Sequence, residues 1–79
     1  MAIDEEKYWA AISTIIKMEM TAHSMSQAKL AESVGIGRVA LNHYLAGKRE
    51  IPFVTFLRIM DVLKLSPQWV FSEAERRME

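Results

Sequence analysis

Arg38, Asn42 and His43 follow one another within the segment GIGRVALNHYLAGKRE, residues 35–50. Arginine presents a fork of donors and asparagine a donor beside an acceptor, so both can grip a planar partner with two bonds. Directly ahead of them stands Gly35-Ile36-Gly37, and a G-x-G that opens a helix can cradle phosphates. With Ala40 it formally matches a dinucleotide fingerprint, and Asp61 lies about twenty residues further on. That fingerprint needs a strand before it and a parallel sheet around it. The residues ahead of Gly35 have helical spacing instead, and Asp61 falls inside another helical stripe. The glycines are therefore read as hinge and cap, and the polar side chains become the point of interest.

Other chemistries find little support. There is no cysteine, so disulfides and thiolate metal sites are excluded. His23 and His43 have no partner at a metal-ligand spacing, so no metal and no cofactor are expected. Nothing resembles a catalytic constellation, and the chain is expected not to be an enzyme. The acidic start, MAIDEEKYWAA, lacks the basic-then-apolar order of a signal peptide. No apolar run approaches the roughly 18 residues of a membrane span, so a cytoplasmic protein without a membrane partner is expected.

At 79 residues the chain forms one domain, 1–79. A chain of this size buries only about 60–65% of its unfolded surface, so its core is modest. Net charge is zero, but its distribution is uneven. Residues 1–25 carry −2, residues 26–51 carry +2 through Lys29, Arg38, Lys48 and Arg49 against Glu32 and Glu50, and the remainder balances. The positive excess coincides with the segment of interest.

The elements that must position these side chains are all helical. Tyr8, Trp9, Ile12, Ile15, Ile16 and Met20 repeat at helical spacing over residues 4–22, with Asp4, Glu5 and Glu6 in the first turn. A break at His23-Ser24-Met25 precedes a short second helix with Leu30, Ala31 and Val34 inward. Ser26 can cap it, or Ser24 can do so with Gln27 closing a capping box. Gly35 ends that helix, and a third runs from about Arg38 to Ala46, stopped by Gly47. Ile36 and Leu41 stand as a hydrophobic staple around a Gly37 cap. Pro52 starts or precedes a fourth helix whose apolar residues are Phe53, Phe56, Leu57, Ile59, Met60 and Leu63. Ser66-Pro67 opens a fifth that runs to about Arg77. No segment alternates as a strand does. The expected fold is all-α, with five short helices.

Two short helices joined by a glycine-containing turn form a helix-turn-helix. Leu41, Tyr44 and Leu45 bury one face of the third helix, leaving Arg38, Val39, Asn42, His43 and Ala46 to project. Arginine pairs with guanine O6 and N7, asparagine with adenine N6 and N7, and Val39 and Ala46 suit thymine methyls. Lys48 and Arg49, just past the helix, suit phosphates, as does Lys29 in the first turn of the second helix.

At this point SQAKLAESVGIGRVALNHYLAGKR resembles the helix-turn-helix of the Cro/cI/XRE family of prokaryotic DNA-binding proteins. The shared features are Ser26-Gln27, Leu30-Ala31, Gly35-Ile36, Leu41 and Gly47-Lys48-Arg49. IPFVTFLRIMDVLKLSPQWVF is similar to the family's last two helices, so the resemblance covers about residues 25–71. It implies a five-helix, lambda-repressor-like domain with its helix-turn-helix at about 26–46, the third helix entering the major groove. Arg38, Val39, Asn42 and His43 are then expected to read bases. Gln27, Lys29, Gly37, Lys48 and Arg49 are expected to position phosphates, with Gln27 also buttressing Arg38. Two departures stand out: Glu19 and Met20 occupy the end of the first helix where many members carry arginine, and the net charge is neutral.

The expected role is a transcriptional regulator, a homodimeric repressor of a palindromic double-stranded operator, of phage Cro or plasmid-control type. No small-molecule ligand is expected. Alternatives are an antitoxin, a restriction–modification controller, or a protein-interaction module with a vestigial helix-turn-helix. Trp69 and Phe71, two residues apart on one short helix, cannot both point inward comfortably, which makes them candidates for a dimer interface within residues 67–79.

Overall fold

The computed structural model describes residues 4–79; the first three residues of the expected 1–79 domain lie outside that span. Five helices follow in order: α1 (Glu5–Ala22), α2 (Gln27–Val34), α3 (Arg38–Leu45), α4 (Phe53–Leu63) and α5 (Pro67–Met78). No strand occurs among the described residues.

Local chemistry sets most of the boundaries. Asp4 caps α1, its carboxylate accepting from the Lys7 N–H at 3.1 Å, and Glu5 and Glu6 follow where the helix dipole favours acids. Ser26 caps α2 through the Lys29 N–H at 3.1 Å, which decides between the two registers the sequence allowed. Ser24 is instead left-handed, at φ 53°, and ends α1. Ser66 accepts from the Trp69 N–H at 3.4 Å, and Pro67 supplies the first residue of α5.

The first four helices close in a common way. After α1, the N–H of Met25 reaches the carbonyl of Met20; after α2, Ile36 reaches Ala31; after α3, Lys48 reaches His43; after α4, Leu65 reaches Met60. Each bond spans a single left-handed residue: Ser24, Gly35, Gly47 and Lys64. This is the Schellman closure, which satisfies carbonyls at the helix end. Glycine takes that conformation freely at Gly35 and Gly47, whereas Ser24 and Lys64 adopt it against the preference of a residue with a Cβ.

The core gathers Ile12, Ile15, Ile16 and Met20 from α1, Leu30, Ala31 and Val34 from α2, and Leu41 and Leu45 from α3. To these α4 adds Phe56, Ile59, Met60 and Leu63, and α5 adds Val70 and Ala74, with Ile51 entering from the α3–α4 loop. Helix α1 packs against α3 and α5, and α2 against α3 and α4. The apolar stripe expected on α4 splits in two. Phe53 is 68% exposed and Leu57 38%, because these two sit one turn apart on a flank turned away from the core residues.

Candidate nucleic-acid interface

The turn between α2 and α3 begins at Gly35, whose φ of 84° lets the chain reverse after the last α2 residue. Ala31, buried at the contact, keeps α2 short-sided, and α2 packs directly on α3. Gly37 then serves as N-cap in an extended conformation with no side-chain bond to offer, and its carbonyl accepts the Leu41 N–H at 3.1 Å. Leu41 and Leu45 are fully or nearly buried, Tyr44 is half-buried, and this anchors one face of α3.

The opposite face is open. Arg38, Val39 and Asn42 are exposed, Val39 at 70%. Together with Gln27 from the start of α2 they line a shallow cleft of about 430 Å³. The Asn42 side-chain amide donates to Gln27 Oε1 at 3.4 Å, a long and therefore weak bond between exposed groups. Gln27 thus engages Asn42, not the Arg38 that the family resemblance pointed to. An exposed valine among polar groups at the edge of a cleft leaves a methyl surface beside hydrogen-bonding groups, which is what a base edge offers in complement.

The other expected residues do not line this cleft. His43 is half-buried one position further round α3, and its carbonyl accepts the Lys48 N–H at 2.9 Å, which fixes the start of the basic loop. Lys48 and Arg49 are exposed in that loop but line a different depression, with Glu5, Glu6, Trp9, Gly47 and Glu50. Lys29 is exposed in the first turn of α2. On α5, Phe71 turns inward, its ring stacked on Phe56 at 5.3 Å between centroids and tilted against Tyr8 at 6.4 Å. Trp69 turns outward and is 47% exposed.

One residue that positions the site went unmarked in the sequence. Ser13, buried in α1, donates its hydroxyl to the carbonyl of Tyr44 at 3.0 Å and so ties α1 to the last turn of α3. The signal was available: Ser13 occupies the place in the α1 repeat between Trp9 and Ile16 where an apolar residue would fit.

The described residues hold no group of three or more acidic or histidine side chains that could hold a metal, and none of their helices is long and apolar enough to cross a membrane. No curated protein matches the chain. The helix-turn-helix family model matches residues 16–70, from the middle of α1 into α5, and so takes in the cleft, the turn and the basic loop together. With an open polar face on α3 held by a glycine turn, this chain belongs to the Cro/C1-type (XRE) helix-turn-helix family of DNA-binding regulators.

Proposed function

We propose that the protein is a sequence-specific repressor that binds a palindromic operator as a homodimer. The observation that carries this reading is the cleft in which Arg38, Val39, Asn42 and Gln27 meet on the outer face of the helix-turn-helix. Set in a major groove, Arg38 donates to guanine, Asn42 pairs with adenine, Val39 meets a thymine methyl, and His43 reaches a base at the edge of the contact. Lys48, Arg49, Lys29 and the Gly37 N–H hold phosphates and fix the register.

Two copies related by a dyad present two α3 helices about 34 Å apart, one turn of duplex. Such symmetry requires a self-complementary surface. Trp69 supports one on α5, because its indole is exposed while its neighbour Phe71 is occupied by Phe56. Occupation of a promoter by such a dimer blocks transcription without any effector.

Selection of bound duplexes from a random pool tests the proposal. An enriched inverted repeat with half-sites one helical turn apart is expected. Enrichment of a single half-site contradicts the dimer, and the absence of any enriched sequence contradicts base reading altogether.

A further inference from the structure

A neutral chain is an odd partner for a polyanion, and the α3–α4 loop shows how the neutrality is arranged. Lys48 and Arg49 share a depression of about 300 Å³ with Glu5 and Glu6 from the first turn of α1 and with Glu50 of the loop itself. A sphere of that volume is about 8 Å across, comparable with the roughly 8 Å screening length of physiological salt. The two cations therefore act on a nearby phosphate in company with three carboxylates, and the local charge is negative. No ion pair within 4 Å joins these groups among the described residues, so the carboxylates stand free to repel a phosphate approaching the loop.

We propose that Glu5, Glu6 and Glu50 form an electrostatic brake on duplex binding, opposing the phosphate contacts of Lys48 and Arg49. This rests on the DNA-binding reading above and adds a role for acidic residues outside the helix-turn-helix. Sequence-independent attraction is set by the charges that face the phosphates and not by the chain's total. The brake lowers affinity for every duplex and flattens the salt dependence, leaving the base contacts of α3 as the main source of retention.

The test compares variants that change net charge equally. Glu50→Gln and Asp61→Asn each add one unit, but only Glu50 borders the basic loop; Asp61 is exposed on α4. A Glu5→Gln/Glu6→Gln double variant completes the set, with thermal unfolding measured on all. Binding to a duplex of unrelated sequence is followed by anisotropy at several salt concentrations. The brake predicts that the double variant binds about three- to tenfold more tightly at low salt, that Glu50→Gln gains more than Asp61→Asn, and that the salt slope steepens. Glu50→Gln gaining no more than Asp61→Asn, with the wild type binding its selected sequence, overturns the brake and leaves the DNA reading intact. Failure of the wild type and all variants to bind any duplex, selected sequences included, overturns both.

Discussion

Asn42 of α3 and Gln27 of α2 are joined across the helix-turn-helix by a single long hydrogen bond of 3.4 Å. At that length the bond is weak enough to be exchanged for a better partner. Replacing Asn42 with alanine is expected to cost about 1–3 kcal/mol of binding to the preferred duplex and to relax preference at one base pair. Gln27→Ala is expected to weaken the same interaction in part. The two changes together should fall short of additivity by about 0.5 kcal/mol or more, because they act on one network. Binding isotherms for the two single variants and the double variant measure this directly.

Ser13→Ala removes the bond that ties α1 to the Tyr44 carbonyl. That carbonyl keeps a second partner, the Gly47 N–H at 3.1 Å, so the loss is one part-buried hydrogen bond and no orphaned acceptor. A destabilisation of about 1 kcal/mol follows. In a domain this size it lowers Tm by about 4–8 °C, readable by circular dichroism.

The helix ends offer stabilisation. Ser24 and Lys64 hold left-handed conformations, at φ 53° and 59°, where Gly35 and Gly47 show what the closure prefers. Ser24→Gly and Lys64→Gly should each raise stability by about 0.5–1 kcal/mol, and Gly47→Ala should lower it by about as much. Chemical denaturation midpoints of the three variants check the signs.

These same positions show what the sequence made legible. Gly35 and Gly47 announced their helix ends because glycine is the residue that a left-handed closure favours. The end of α1 was visible only as a break, and Lys64 gave no sign at all, since a serine or lysine in that conformation looks like any other surface residue. The face of α3 was readable because Leu41, Tyr44 and Leu45 share one side of a short helix. The orientation of Phe71 was not, because it depends on Phe56 and Tyr8, which tertiary packing alone brings to it. Phe53 and Leu57 misled for a related reason: hydrophobicity at helical spacing identifies a stripe without saying whether anything covers it. The partnership of Gln27 with Asn42 turns on side-chain geometry across the turn, and that of Ser13 with Tyr44 on the packing of α1 against α3.

Alkaline pH probes the α1–α5 contact. Burial, and then the negative charge of Glu75, push the Tyr8 hydroxyl above the ordinary phenol value of 10.0. The fold thus favours the neutral phenol. Below pH 10 both folded and unfolded chains keep the proton and the contribution is complete. Above it the unfolded chain ionises first, and stability falls as pH rises toward the folded value. Unfolding curves between pH 8 and 11 should show a steeper loss for the wild type than for Tyr8→Phe, which has no proton to lose.

Base reading by the outer face of α3 stands or falls with Arg38. The measurement is the affinity of wild type and Arg38→Ala for the selected duplex and for each of its single base-pair variants. Base reading predicts a loss of about 1–3 kcal/mol on the selected duplex, with discrimination collapsing at one base pair and persisting at the others. An equal loss on every sequence, with discrimination unchanged at all positions, would show that Arg38 meets only the backbone and that α3 does not read bases through it.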